Sequence, residues 1–194
     1  MGELLRQVRI VPQGTTTGVS SCDQPFCDLA IETNSFITDL SVDPDVQSRK
    51  IKIESSLPTS ADLALAHIPP IAFYRILENL VRNAIEAIQH DHGKILISLT
   101  MNKGNPELII QDNGSGISLD IRDKILAFDF TTKPARGTGL GLGIVDKICK
   151  EFGATLRFES KVGTGTTFIV SFKPTVLTTH QSELPFGEVS YGQI

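Results

Sequence analysis

The sequence is poor in cysteine, and its cysteines do not form a metal-binding or disulfide pattern. Of the three cysteines, Cys22 and Cys27 lie close together, whereas Cys149 is remote and has no cysteine or histidine beside it. A sparse, odd set of this kind favours reduced thiols in a cytosol-like compartment. Cys149 falls on an apolar helical face, where we expect it to act as a small buried hydrophobe.

The chain also lacks an excess of basic residues and a long hydrophobic run. Its 18 lysines and arginines against 22 aspartates and glutamates give a formal net charge of -4, so we expect no nucleic-acid partner. No stretch approaches the roughly 20 apolar residues of a membrane-spanning helix, and the start of the chain has no signal-peptide core. We therefore expect a cytoplasmic chain, or the cytoplasmic portion of a membrane-anchored protein, without direct membrane contact in this fragment.

What is present suits one domain flanked by two tails, given 194 residues of which 40% are hydrophobic. Residues 1–25 are polar and rich in Gly, Thr and Ser, as in a linker or weakly ordered arm. Residues 26–174 carry the periodic segments and form the predicted domain. Residues 175–194 contain turn formers with little periodicity and are interpreted as a C-terminal tail.

Hydrophobic periodicity predicts alternating helices and strands within that domain. The expected helices run from Phe26 to about Ser48 with a break at Asp43–Pro44, from Ile71 to about His90, over 119–127, and from Leu140 to Phe152. The expected strands are 50–54, 62–67, 94–101, 107–111, 154–160 and 166–172. Short hairpins with helices between them predict a two-layer α/β sandwich, in which a mixed sheet has helices on one face.

The segment "ENLVRNAIEAI", residues 78–88, places two asparagines one turn apart on an otherwise amphipathic helix. At 100° per residue, one side is apolar and faces the core: Leu77, Leu80, Val81, Ala84 and Ile88. A strip beside it holds Asn79, Asn83 and Glu86, while Arg75, Arg82 and Gln89 point toward solvent. The strip is where a pocket wall would lie, although surface asparagines on an ordinary helix remain the alternative.

Two glycine-rich segments could approach a ligand closely. "DNGSG" (112–116) follows an apolar strand and sets the carboxylate of Asp112 beside bare backbone, where it could accept from an amino group; the alternative is a simple turn. "GTGLGLG" (137–143) precedes a helix, whose N-terminus suits anions, and Lys133 and Arg136 lie upstream. The alternative for the second segment is a flexible linker.

In their order and spacing these segments resemble the ATP-binding domain of the histidine kinase, gyrase, heat-shock chaperone and mismatch-repair ATPase superfamily, the Bergerat fold. The resemblance covers roughly Phe26 to Lys173. "ENLVRNAIEAI" is similar to the asparagine box, "DNGSGI" to the first glycine box, "FDFTTK" to the phenylalanine box and "GTGLGLGI" to the second glycine box. The histidine kinase branch, and within it the nitrogen-regulation-like group, is the most similar.

The resemblance implies a role for each segment in binding Mg-ATP. Asn83 would coordinate Mg²⁺, Asn79 would face the phosphates, and Asp112 would accept from the adenine amino group with help from Thr167. Asn79 and Lys133 would serve catalysis. The implied nucleotide contacts are Asn79, Asn83, Asp112, Gly114, Gly116, Ile117, Thr132, Lys133, Arg136, Gly137, Thr138, Gly139, Leu140, Gly141, Leu142 and Thr167.

The implied activity is that of a sensor histidine kinase in two-component signalling. The domain would donate the γ-phosphoryl group of ATP to a histidine on a dimerisation hairpin that this chain does not show, and a response regulator would act downstream. Because dimerisation in this family comes mostly from that hairpin, we expect this fragment to be a monomer.

Three residues depart from the family pattern, and the unusual phenylalanine box leaves another function open. Phe128 and Asp129 replace the Pro and Phe expected in the phenylalanine box, and His67 replaces a common acidic residue. A nucleotide-binding module without transfer activity is therefore one alternative. A serine kinase of the same fold, of the anti-sigma-factor type, is another, although such kinases carry Glu at the position of Asn79.

Overall fold

The computed structural model describes residues 9–12, 27–58, 65–122, 125 and 141–178. Its helices are α1 (Leu29–Leu40), α2 (Pro44–Ser48), α3 (Pro70–Ala87), α4 (Leu119–Arg122) and α5 (Gly141–Glu151). Its strands are β1 (Arg9–Pro12), β2 (Cys27–Asp28), β3 (Lys52–Ser56), β4 (Leu65–Ala66), β5 (Lys94–Asn102), β6 (Asn105–Asp112), β7 (Thr155–Lys161), β8 (Gly165–Ser171) and β9 (Thr175–Thr178).

Five strands form one mixed sheet in the order β3-β5-β6-β8-β7. Strands β3 and β5 are parallel, and the other neighbours are antiparallel. The face that the helices cover is built from alternate residues such as Ile95, Ile97, Leu108 and Ile110, all of which are fully buried. The predicted two-layer sandwich, with a mixed sheet and helices on one face, is thereby confirmed.

Helix α3 packs on this face with the residues that its periodicity predicted. Leu77, Leu80, Val81, Ala84 and Ile88 are at most 1% exposed, whereas Arg75, Arg82 and Gln89 are exposed. The helix ends at Ala87, earlier than the expected His90, because Ile88 adopts an extended conformation. The guanidinium of Arg49 donates to the carbonyls of Ile85 and Ile88 and thus satisfies the end of the helix.

The predicted break at Asp43–Pro44 divides the first helical stretch into α1 and α2. Asp43 accepts from the backbone N–H groups of Asp45 (2.9 Å) and Val46 (3.2 Å), so it caps α2, and Pro44 occupies the first turn. Strand β3 then begins at Lys52 rather than at Lys50, because Lys50 turns the chain with a φ of 51°.

Helix α5 ends at the predicted glycine. Gly153 has a φ of +65°, and the N–H of Ala154 donates to the carbonyl of Cys149 over 2.8 Å, which is a Schellman-type ending. Cys149 is buried, as expected, and burial raises the pKa of its thiol to about 12.

Among the described residues, two small antiparallel strand pairs lie outside the main sheet. Strand β2 pairs with β4, and β1 pairs with β9. The second pair joins a segment within 1–25 to a segment within 175–194. Residues 62–64 of the expected strand 62–67, and residues 123–124 and 126–127 of the expected helix 119–127, lie outside the described residues.

Candidate functional site

Two carboxamides of α3 line the seam beside its buried face, where the sequence predicted them. Asn79 and Asn83 are both half-buried. The Nδ2 group of Asn79 donates to the carbonyl of Arg75 over 2.7 Å, which fixes the orientation of its Oδ1. The Nδ2 of Asn83 is buried and has no hydrogen-bond partner among the described residues. A buried amide that lacks a partner is costly, so this end of the seam is suited to a polar ligand.

The start of α5 lies directly against these two amides. A Cβ atom added to Gly141 would lie 3.1 Å from Oδ1 of Asn79 and 3.7 Å from Oδ1 of Asn83. The first turn of a helix has N–H groups without helical partners and the positive end of the helix dipole. The structure therefore brings the asparagine segment and the end of the second glycine segment together in a place suited to anions. Leu142, the next residue, packs against the core.

The carboxylate of Asp112 marks the other end of the site, at the end of β6. Its Oδ1 accepts from the backbone N–H of Gly114 (2.8 Å) and of Thr166 (3.3 Å). No described residue donates to Oδ2. Burial raises the pKa of this carboxyl group, and the two backbone N–H groups act in the opposite direction. Asp112 is thus a buried acceptor with one oxygen unused by the described part of the chain.

The glycines that follow Asp112 are required by the packing of the protein itself. A Cβ on Gly114 would lie 2.7 Å from the carbonyl oxygen of Ala87, and one on Gly116 would lie 2.2 Å from that of Lys161. Gly116 also has a φ of +69°. Close approach of a flat ligand, which the sequence suggested, is therefore not needed to explain either glycine.

Hydrogen bonds hold the turn that follows Asp112 from both sides. The N–H of Ser115 donates to Ala87 at the end of α3 (2.9 Å), and the N–H of Gly163 in the β7–β8 turn donates to Ser115 (2.8 Å). The N–H of Ile117 donates to Oγ of Ser160 over 2.8 Å. These contacts fix Asp112 relative to α3.

Helix α3 therefore connects the two ends of the site. Gly114 lies against Ala87 of α3, and Gly141 lies against Asn79. Asn79 and Ala87 are eight residues apart, or about 12 Å along a helix. A ligand that reaches both ends must be elongated, with a hydrogen-bond donor for Asp112 at one end and a negative charge at the other.

Thr167 is not brought to Asp112. It is the direct partner of Gln111 in the β6–β8 ladder, so both side chains point to the sheet face that carries no helices. Thr166 lies on the face of Asp112 instead: it is buried, and its backbone N–H donates to the carboxylate. Sequence reasoning missed Thr166. It lies two residues before Phe168, so the two side chains share a face of the sheet, and Phe168 lies in the core.

The remaining predicted contacts lie outside the described residues. They are Thr132, Lys133, Arg136, Gly137, Thr138, Gly139 and Leu140, together with Phe128 and Asp129 of the phenylalanine box.

The donor set of the described site fits Mg²⁺ held mainly by phosphates. Across the described ranges, no group of three or more His, Cys, Asp and Glu residues could hold a metal ion. Mg²⁺ commonly binds through one or two protein oxygens together with phosphates and waters. The carboxamide of Asn83 offers such an oxygen, because its Oδ1 lies beside the start of α5.

None of the helices in the described part of the chain is long and apolar enough to cross a membrane.

Comparison with known proteins agrees with this geometry. A family model described as "Histidine kinase-, DNA gyrase B-, and HSP90-like ATPase" matches residues 69–176, which is more than half of the chain. The sensor histidine kinase ZraS of Escherichia coli (strain K12) is 35% identical over 127 residues, which cover 66% of this chain and 26% of ZraS. The chain thus spans about a quarter of the length of that relative.

Solved structures show the same fold. The catalytic domain of the histidine kinase ThkA superposes with a TM-score of 0.65 at 24% identity, covering 76% of this chain and 93% of that domain. Full-length ShkA, solved in complex with AMPPNP, gives a TM-score of 0.66 at 21% identity, covering 82% of this chain and 33% of ShkA. Taken with the family match and the ordered segments on α3, β6 and α5, these findings show that the chain belongs to the histidine kinase-, DNA gyrase B- and HSP90-like ATPases and is a catalytic domain homologous to those of sensor histidine kinases.

Proposed function

We propose that this chain binds Mg-ATP along α3 and donates its γ-phosphoryl group to a histidine on a separate phosphoacceptor domain. A response regulator would then receive the phosphoryl group. The observation that supports this most directly is the elongated site itself. A buried carboxylate lies at one end, and two carboxamides lie against a helix N-terminus at the other.

Adenine is assigned to the end formed by Asp112. A carboxylate is an acceptor when it is ionised, so it selects a ligand that presents an N–H donor, such as the exocyclic amino group of adenine. Thr166 and Gly114 fix the orientation of the carboxylate, which leaves its second oxygen for that amino group. A guanine ring would present a carbonyl oxygen at the corresponding position, and two acceptors would then face each other.

The phosphates are assigned to the end formed by Asn79, Asn83 and Gly141. Asn83 would hold Mg²⁺, which when bound neutralises phosphate charge. Free N–H groups of the first turn of α5, and the amide N–H of Asn79 that does not bond to Arg75, would hold phosphate oxygens. Thr132, Lys133, Arg136 and the backbone of residues 137–140 are proposed to complete the phosphate contacts, and Asn79 and Lys133 to serve the transfer.

This chemistry depends on position and charge more than on a reactive side chain of the protein. Phosphoryl transfer requires the γ-phosphate to be aligned with its acceptor and its charge to be neutralised. A rigid α3 that joins the two ends of the site supplies the alignment. The nucleophile would come from the partner domain.

The proposal is tested by mixing the chain with γ-labelled ATP and the isolated phosphoacceptor domain of a sensor kinase such as ZraS. We expect label on the acceptor that is lost in acid and retained in base, as for phosphohistidine, and no label with Asn83→Ala. Acid-stable label would favour the serine kinase alternative. Saturable ATP binding without any transfer would favour the binding module.

A further inference from the structure

A cavity lies on the side of α3 opposite the nucleotide site, between α3 and the α1–α2 segment. It has a volume of about 100 Å³, and it is lined by Phe36, Asp39, Leu40, Asp43, Tyr74, Glu78, Val81, Arg82 and Ile85. We call it the α1–α3 groove. Its lining residues on α3 lie more than about 100° around the helix from Asn83, so it is separate from the nucleotide site.

The floor of the groove is apolar and buried. Phe36 and Leu40 of α1 and Val81 and Ile85 of α3 are at most 6% exposed. Tyr74 packs edge-on against Phe36, with ring centroids 5.4 Å apart, yet it remains 37% exposed. An aromatic ring that is fixed on one side and open on the other offers a face to a ligand.

The rim of the groove carries two carboxylates that no cation in the described part of the chain neutralises. Its cation, Arg82, is already bound to Asp43 (3.2 Å) and Asp45 (2.9 Å). Asp39 and Glu78 are exposed and make no ion pair with any other residue in the described ranges. Two unpaired carboxylates therefore lie beside an open aromatic ring and an apolar floor.

These features together select a cationic side chain with an apolar stem. A guanidinium or ammonium group can stack on Tyr74 and pair with Asp39 and Glu78, while its methylene groups lie on the floor. The volume is below the roughly 300–1,000 Å³ of pockets that hold whole small-molecule ligands. It therefore suits the end of one side chain rather than a second nucleotide.

We propose that the α1–α3 groove is a docking site for a protein partner, which inserts an arginine flanked by aliphatic residues. Exposed apolar side chains beside the groove extend the surface that such a segment would cover. Ile71, one turn before Tyr74 on α3, is 65% exposed, and Val42, beside Asp43, is 75% exposed. Arginine is preferred over lysine because its planar group both stacks and pairs with two carboxylates.

The test uses two alanine-rich helical peptides that differ at one position. One carries a central arginine flanked by leucines, and the other carries glutamine in place of the arginine. Each is titrated into the ¹⁵N-labelled chain, and amide resonances are followed. We expect saturable shifts confined to residues around Asp39, Tyr74 and Glu78, with about tenfold tighter binding of the arginine peptide.

Two variants make the test specific. In the double variant Asp39→Asn/Glu78→Gln the preference for the arginine peptide should disappear, whereas Glu151→Gln on α5, also exposed, should keep it. The affinity for ADP should be unchanged in both. The proposal is overturned if the two peptides bind equally, if shifts map elsewhere, or if no saturation is reached. It is also overturned if the groove resonances shift on dilution of the chain alone, because a second copy would then be the occupant.

Discussion

Strand β6 carries two buried carboxylates that lie on different faces of the sheet and accept from different hydrogen-bond donors. Glu107 and Asp112 are 5% and 6% exposed, and because they are an odd number of residues apart they lie on opposite faces of the sheet. Glu107 accepts from Asn102 (3.2 Å), from Ser171 (2.6 Å) and from Arg157 at both of its oxygens (3.0 and 3.2 Å). Asp112 accepts from two backbone N–H groups at a single oxygen.

The pKa shifts of the two groups follow from these contacts. Hydrogen bonding by Arg157, more than any other interaction, lowers the pKa of Glu107 despite its burial. Burial raises the pKa of Asp112. A carboxylate that the protein itself satisfies stabilises the fold, whereas one that is left partly unsatisfied is available to a ligand. The comparison therefore distinguishes a structural acid, Glu107, from Asp112, which we propose binds adenine and call the binding acid.

The largest expected effect is on nucleotide binding when the binding acid is neutralised. Asp112→Asn should weaken the binding of ADP by about 100-fold, roughly 3 kcal/mol. The substitution replaces a charged acceptor by a neutral amide, which can present an N–H donor to the adenine amino group. The free energy of unfolding at pH 7 should stay equal or increase, since a buried negative charge is removed. Calorimetry with ADP and urea unfolding measure the two quantities.

The matched control is Glu107→Gln, which changes the other buried carboxylate in the same way. Its affinity for ADP should stay within about twofold of the wild type, because it faces away from the site. Equal losses of affinity in both variants would contradict the assignment of separate roles.

The second prediction concerns a substitution that displaces the turn after Asp112. Gly116→Ala would place a Cβ 2.2 Å from the carbonyl oxygen of Lys161 at a φ of +69°. We expect a loss of about 3 kcal/mol or more in the free energy of unfolding, together with weaker ADP binding. Gly163→Ala is the control, since it has a φ of +73° but no atom within 4 Å of the added Cβ. It should cost only about 1 kcal/mol, and a similar loss in both would contradict the packing role of Gly116.

The third prediction concerns the structural acid, Glu107, and the pH dependence of its contribution to the free energy of unfolding. Glu107→Gln should lower the free energy of unfolding at pH 7 by about 1 kcal/mol, a modest value because the side chain of Arg157 is 49% exposed. Since the pKa of Glu107 is lowered by folding, its contribution is present above the ordinary pKa of about 4.3 and is lost as the pH falls through the folded value. Urea titrations from pH 7 to pH 3 should show the deficit of the variant shrinking.

The contribution of Asp112 to stability depends on pH in the opposite direction to that of Glu107. The pKa of Asp112 is raised by folding, so the ionised group opposes folding at neutral pH and this cost disappears on acidification. Any advantage of Asp112→Asn in stability should therefore shrink as the pH falls. An advantage that grew on acidification would contradict the desolvation of Asp112.

The smallest expected effect comes from the two neighbouring threonines of β8. Thr167→Ala should change the affinity for ADP by less than about twofold, because Thr167 faces away from Asp112 with Gln111. Thr166→Ala keeps the N–H that donates to Asp112, but it removes a hydroxyl hydrogen-bonded to Oγ of Ser160 (2.9 Å), which holds Ile117 in the turn after Asp112. The same calorimetry should therefore show the larger effect for Thr166→Ala. A stronger loss with Thr167→Ala would contradict the register of β6 and β8.

Local periodicity was sufficient to predict much of the fold and one wall of the site. The strip that holds Asn79 and Asn83 follows from 100° steps along α3, and Asp112 follows from the end of an apolar strand. These features depend on residues close in the chain, so they can be inferred without knowing what packs against them.

Other features depend on contacts between distant segments, and the sequence alone could not supply them. The choice between Thr166 and Thr167 requires the register of β8 against β6, because a shift of one residue exchanges the two faces. The need for Gly116 comes from Lys161, and the network of Glu107 comes from Arg157, 50 residues away. The capping of α3 by Arg49 likewise joins residues 36 positions apart.

The central claim is that one nucleotide occupies both ends of the site along α3. It is tested most directly by following amide resonances while the chain is titrated separately with Mg-ADP, with adenosine and with Mg-tripolyphosphate. We predict that Mg-ADP shifts the resonances of Gly114 and Thr166 together with those of Asn83 and Gly141, with one dissociation constant. Adenosine should shift only the first pair, and tripolyphosphate only the second. Saturable shifts elsewhere, or none on the folded chain, would contradict the account.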